Sequence, residues 1–318
     1  MSASDTSLWG IILAGGEGER LKGFACEQFG SAIPKQFCTF VGRRSMLERT
    51  IKRARLLIPS ERLVVIGTAH HSAHIVRHLG TTAPGTVLLQ PANRDTAPGI
   101  LLPLIHILRK DPTALVAILP ADHFILPGHR FMRAVAAAAR FVDQGNVDIP
   151  VLLAAKPDGP EPEYGWIELG AFVEHNGQQT IHELKQYVEK PPRNQAERLM
   201  QHGWLWNTMV IVVRAQALMD LAWKSVPDLA RWFTLLKRVM GSPREQEFIE
   251  KVYEAIPNTN FSTSVLASRN LKSLVLPIRD VSWSDWGTKE RILETTRAHG
   301  LRPSVPIRRP HDTMVIPV

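Results

Sequence analysis

Short apolar segments alternate with amphipathic stretches through the first half of the chain, and no other feature limits its possible folds so strongly. Residues 11–13, 63–66, 87–89 and 116–119 read as strands, and helical spacing fills 45–57, 71–79, 97–109 and 129–144. A strand–helix–strand rhythm predicts parallel strands joined by right-handed crossovers, with helices on both faces of the sheet. Uninterrupted apolar strands fit that arrangement, because a strand covered on both faces has no polar side to show. Beyond Pro150 the pattern is richer in strands, at 151–155, 166–169 and 209–213, with a last one at 273–278. Helical spacing returns at 193–202, 215–224, 228–240, 244–255 and 288–297. The expected organisation is one α/β domain over 1–300, with a ligand-binding half over 9–150 and a second half over 151–300. Four prolines in 301–318 predict an extended tail that tolerates truncation.

Composition narrows the function classes. At 318 residues, 44% hydrophobic and 21% charged, the chain can bury a full core. It contains no apolar run of membrane-spanning length, and Met1 to Asp5 lack the basic and apolar regions of a signal peptide, so a cytoplasmic protein without membrane partners is expected. The net charge of +8 favours anionic partners. Nucleic acid is disfavoured, because the basic residues are scattered. The densest group, from Arg43 and Arg44 through Arg49, Lys52, Arg53 and Arg55, mostly decorates the solvated side of a helix that starts near Ser45. Cys26 and Cys38 fall in an expected flexible connection without metal-site spacing and read as reduced thiols.

The ligand chemistry is written in the connections. Directly after the first strand, Leu13-Ala14-Gly15-Gly16-Glu17-Gly18-Glu19-Arg20-Leu21 opens a glycine-rich turn whose bare N–H groups and Arg20 guanidinium suit phosphate oxygens. Leu21 stands where a dinucleotide fingerprint needs its third glycine, and no Gly-Lys-Ser/Thr follows, so this is neither a Rossmann nor a Walker loop. Lys35 adds a second cation. Asp122, just past a buried strand, and Asp285, between the last strand and a helix, are candidate ligands for a hard cation such as Mg²⁺, with a cap or turn role as the structural alternative. The segments 90–98, 164–167 and 188–191 combine turn formers with polar side chains and read as pocket walls. Trp204 and Trp206 flank a stretch where Asn207 is the functional candidate, although paired indoles also serve as core. His70, His74 and His78 share one face of an expected helix, where a solvated stripe outweighs a zinc site.

Taken in order, the stretches Leu13-Ala14-Gly15-Gly16 with Arg20-Leu21, Pro34-Lys35-Gln36-Phe37, Asn93 to Pro98, Pro120-Ala121-Asp122-His123, Tyr164-Gly165, Val188-Glu189-Lys190-Pro191, Trp206-Asn207 and Trp283-Ser284-Asp285 resemble the sugar nucleotidyltransferases, and within them the mannose-1-phosphate guanylyltransferases. The resemblance covers about residues 9–295 and implies a Rossmann-like mixed, mostly parallel sheet of the nucleotide-diphospho-sugar transferase type. By this similarity Leu13, Ala14, Gly15 and Gly16, with Arg20 and Lys35, would hold GTP, and Gln90, Asp95 and Thr96 would lie near base and ribose. Gly165, Glu189 and Asn207 would face the sugar and Lys190 the sugar phosphate, while Asp122 and Asp285 would share Mg. Arg20, Lys35, Asp122 and Asp285 would form the catalytic set for attack by a sugar 1-phosphate on the α-phosphorus of GTP.

Several positions depart from the family. Glu19 replaces a usual Thr, the connection from Arg20 to Pro34 is long, Gln90 and Asp95 replace a frequent Glu and Asn, and Met209 replaces a Gly beside the sugar. They motivate two rival readings: the same transfer with another base or sugar, and a catalytically silent nucleotide-sugar-binding subunit. Neither the isomerase domain nor the β-helix appended in some relatives is expected, and a homodimer is left open.

Overall fold

The computed structural model describes residues 7–304 apart from 81–83, 146, 177–178 and 268–271. In chain order the first half comprises β1 (Leu8–Leu13), α1 (Lys22–Phe29), α2 (Met46–Ala54), β2 (Leu63–Thr68), α3 (Ser72–Leu79), β3 (Thr86–Gln90), α4 (Thr96–Lys110), β4 (Leu115–Pro120), β5 (Phe124–Leu126) and α5 (Gly128–Gln144). The second comprises β6 (Val151–Ala155), β7 (Gly165–Asn176), β8 (Gln179–Glu189), α6 (Arg193–Gln201), β9 (Leu205–Arg214), α7 (Ala215–Ser225), α8 (Pro227–Val239), α9 (Glu245–Ala255), β10 (Leu274–Ile278), β11 (Ser282–Ser284) and α10 (Lys289–Ala298).

Among the described residues one nine-stranded sheet runs β3-β2-β1-β4-β9-β6-β10-β8-β7, with a further pairing of β7 to β9. The β1–β4 strands are parallel, β9 is antiparallel to both β4 and β6, and β10 is parallel to β6. Because β8 opposes β10 and β7 opposes β8, only β8 and β9 run against the rest of the sheet. The expected mixed, mostly parallel sheet is therefore present. β9, from the second half, is inserted between β4 and β6, so both halves share one sheet.

Alternation along each strand divides the core. Ile12, Val65, Leu119 and Leu153 face one side with Leu47 and Ile51 of α2 and Phe131 and Val135 of α5. Their neighbours Ile11, Val64, Ile118 and Leu152 face the other, with Ile100 and Leu104 of α4, Leu218 of α7 and Phe233 of α8. Period-two side-chain alternation in strands buried on both faces gives these two apolar layers.

Local signals explain several ends. Ser45 and Glu48 form a reciprocal capping box at the start of α2, and Thr288 caps α10 by accepting from Arg291 N at 3.2 Å. The basic residues of α2 are not uniformly solvated: Arg53 is buried, bonded to Thr50 Oγ1 at 2.9 Å and lying over the Phe131 ring, because α5 packs against that face. The connection after Arg20 is not a flexible loop either, since it carries α1. Phe24 and Ala25 bury there beside Phe40 and Trp286, Cys26 is exposed on the helix, and Cys38 is buried. The tail begins with Pro303 bridged to Val41 and Ser304 N bonded to Phe40 O at 2.9 Å, and residues 305–318 lie outside the described ones.

Candidate active site

The carboxyl ends of β1 and β4 open into a cleft of about 990 Å³, the expected place for a ligand on an open sheet with a strand-order reversal. Leu13, Gly15, Gly16 and Arg20 line it with Lys35, Gln90, Asp95, Thr96, Asp122, Lys190 and Asp285. The glycine turn is shaped by close approach. Gly18 sits at φ +67°, and a side chain there would meet Lys35 N at 2.8 Å, so only glycine takes this conformation without strain. Gln36, buried, donates to Ala14 O at 2.9 Å and Gly16 O at 2.8 Å, pinning the turn to the segment that carries Lys35. Ala14 itself is buried and serves through that backbone contact.

A small two-stranded ribbon brings the two aspartates together. β11 pairs with β5 in the register Ser284 opposite Phe124, so Asp285 leaves one strand where Asp122 approaches the other. Lys35, its side chain only 7% exposed, places its ammonium 2.8 Å from Asp122 Oδ2 and donates to Asp285 O. Asp285 Oδ2 accepts from Arg20 at 2.8 Å, and Oδ1 accepts from the Tyr164 hydroxyl at 2.7 Å and from Gly287 N at 2.7 Å. Burial, the largest single influence, pushes both carboxyls up, but their partners together outweigh it: Lys35 with His123 holds Asp122 below its ordinary value, and Lys35, Arg20 and Tyr164 bring Asp285 down to about 2. Both are therefore ionised at neutral pH. His123 is also lowered, to about 4, chiefly because burial disfavours its charged form, and its Nδ1 accepts from the Trp283 indole at 3.3 Å.

The ionised carboxylates of Asp122, paired with Lys35, and of Asp285, paired with Arg20, stand at the wall of one open cleft and offer an all-oxygen donor set. Such a set suits Mg²⁺, which takes one or two carboxylates and completes its shell with phosphate oxygens and water. The residues present fit that ion.

At the other end, Asp95 caps α4 from φ 68°, accepting from Thr96 N at 2.6 Å and from Asn260 Nδ2 at 3.1 Å. Gln90 is buried, and Tyr253 donates to its Oε1 at 3.0 Å. Lys190 reaches the cleft from φ 46°. Gly165, Glu189 and Asn207 stand behind the lining. The Tyr187 hydroxyl donates to Glu189 and accepts from Asn207 Nδ2 at 3.3 Å, and a side chain on Gly165 would fall 2.5 Å from that hydroxyl. Trp204 and Trp206 are buried, Trp206 packing edge-on to Tyr164, so the indoles are core. Met209 does line the cleft, at φ 56°, in the left-handed region that glycine prefers.

The histidine stripe is divided by local structure. His70 and His71 lie in a 3-10 turn before α3, whereas His74 and His78 stack on Phe37. Tyr164, Tyr187, Tyr253 and the neighbouring His123 carry contacts that spacing could not reveal, because their partners lie up to 163 positions away in the chain.

The XanB xanthan biosynthesis protein of Xanthomonas campestris is 29% identical over 91% of this chain and 60% of its own length. The mannose-1-phosphate guanylyltransferase ManC of Salmonella typhimurium is 30% identical over 92% of this chain and 60% of its own. The chain thus spans about 60% of the length of these curated relatives. A solved structure from Thermus thermophilus, described as a mannose-1-phosphate geranyltransferase, superposes with a TM-score of 0.76 at 26% identity, covering 91% of this chain and 79% of that one. The sequence profile of the nucleotidyl transferase family matches residues 9–300, and the chain belongs to that family.

Proposed function

We propose that the protein transfers a guanylyl group from GTP to mannose 1-phosphate, giving GDP-mannose and pyrophosphate. The observation that carries this reading is the Lys35 ammonium held between the Asp122 carboxylate and the Asp285 carbonyl, beside the glycine turn in one cleft. The curated guanylyltransferase relative favours this pair of substrates.

An oxygen of the sugar phosphate attacks the α-phosphorus in line, a new P–O bond forms, and the bond to the bridging oxygen of the departing pyrophosphate breaks. The nucleophile is already anionic, so no general base is needed. Transfer of this kind depends on positioning and on neutralising charge. Arg20 and Lys35 exchange carboxylate oxygens for phosphate oxygens as substrate enters. Mg²⁺ held by Asp122 and Asp285 would supply further charge neutralisation on the pyrophosphate. Tyr253 fixes Gln90 Oε1 and leaves its amide N–H groups to meet a base carbonyl such as that of guanine. Met209 and Lys190 border the space for the sugar phosphate.

A panel of nucleoside triphosphates against sugar 1-phosphates, read by pyrophosphate release, tests this reading. GTP with mannose 1-phosphate and Mg²⁺ should give the fastest turnover. No release from any pair would overturn the enzymatic reading in favour of a binding subunit, and a faster different pair would overturn the assigned specificity.

A further inference from the structure

Between the glycine turn, which supplies Glu17, and the end of β2, three metal-ligating side chains outside the set assigned to transfer converge. The Glu17 carboxylate oxygen Oε2 lies 3.1 Å from His70 Nε2 and 3.6 Å from His71 Nε2. One ligand atom from each of these residues lies within 4.8 Å of the others. A tetrahedral zinc ion with bonds of roughly 2.0–2.1 Å spaces its donors about 3.3 Å apart, so a small adjustment admits the ion.

Three further features favour a metal over a plain hydrogen-bond pair. His71 is buried, and its other nitrogen, Nδ1, is bonded to Thr68 Oγ1 at 2.8 Å. That contact fixes the ring with Nε2 aimed at Glu17, as outer partners of metal-binding histidines do. The two rings, on consecutive residues of a 3-10 turn, are packed 3.9 Å apart with both Nε2 atoms turned to the same oxygen. A cavity of about 240 Å³ lined by Glu17, His70, His71 and His74 adjoins the cluster and gives room for a water ligand and a path of entry.

We propose that Glu17, His70 and His71 form a binding site for a borderline transition-metal cation such as Zn²⁺, with a fourth position open to the adjoining cavity. Bound there, the ion ties the glycine turn to the end of β2 and cancels the Glu17 charge on the cleft wall. The link to triphosphate handling rests on the function proposed above, but the binding of the ion does not.

Titration of tag-free protein with Zn²⁺ by calorimetry, and with Co²⁺ by visible absorption, both in excess Mg²⁺ and without nucleotide, tests the site. One equivalent should bind, with the strong visible bands of four-coordinate cobalt. Glu17→Gln and His70→Ala should each weaken binding at least tenfold; His70 is half exposed, so its removal leaves the fold intact. Stoichiometric binding unchanged in both variants, or no binding by the parent protein, overturns the proposal. Neither result depends on whether the protein transfers nucleotides.

Discussion

The two ends of the cleft are held by different physics. At the end proposed to take the phosphates, Arg20, Lys35, Asp122 and Asp285 satisfy one another through charge, with contacts of 2.8 Å that an arriving anion would compete for. Behind the end proposed to take the sugar, Tyr187, Glu189 and Asn207 form a hydrogen-bonded knot on two strands. The first arrangement can exchange partners cheaply, because each ion keeps a counter-charge. The second preserves a shape, because a buried hydroxyl or amide that loses its partner costs about 1–3 kcal/mol.

The largest expected effect is at the charged end. Asp122→Asn or Asp285→Asn should each lower kcat by about 10²- to 10³-fold, well beyond the stability loss of about 1–3 kcal/mol that follows from leaving a cation unpaired, measured by pyrophosphate release and thermal unfolding. Lys35→Met should follow, with about a 10²-fold loss. It also costs about 1–2 kcal/mol of stability in urea, because Asp122 loses its counter-ion but remains a third exposed to water. Equal turnover in parent and variant would break the assignment of Lys35.

Tyr187→Phe sharpens the contrast. Losing that hydroxyl should cost about 1 kcal/mol of stability and raise KM for the sugar phosphate several-fold, leaving KM for the triphosphate unchanged. An equal rise in both would show that the ends act as one unit. Least disruptive is thiol labelling of the native protein. Burial pushes the Cys38 thiol up to about 12, so exposed Cys26 should alkylate and Cys38 should not until unfolding.

Much of the fold was legible because the central strands are mostly apolar, β2, β4 and β6 being buried at every position. β8 was missed for the opposite reason: its Glu183, Lys185 and Gln186 are solvated, and only Thr180 and Ile181 are buried. α1 was missed because Gly23 interrupts its first turn and its apolar residues make no continuous stripe. The positions of Asp122 and Asp285 could be read from local context, but the ribbon that joins them pairs segments about 160 residues apart. Arg53 shows the limit of helix-face reasoning, since one guanidinium of a group expected mostly on the solvated side lies under α5. Met209, noted as a departure from glycine, proves to have the backbone angle that glycine favours.

The most direct test of the central claim is Mn²⁺ binding in the presence of GTP, followed by electron paramagnetic resonance in the parent protein, Asp122→Asn, Asp285→Asn and the double variant. Two carboxylates sharing one ion predict that each single substitution weakens binding at least tenfold and that the double variant loses the site. Mn²⁺ affinity unchanged in both single variants would contradict it.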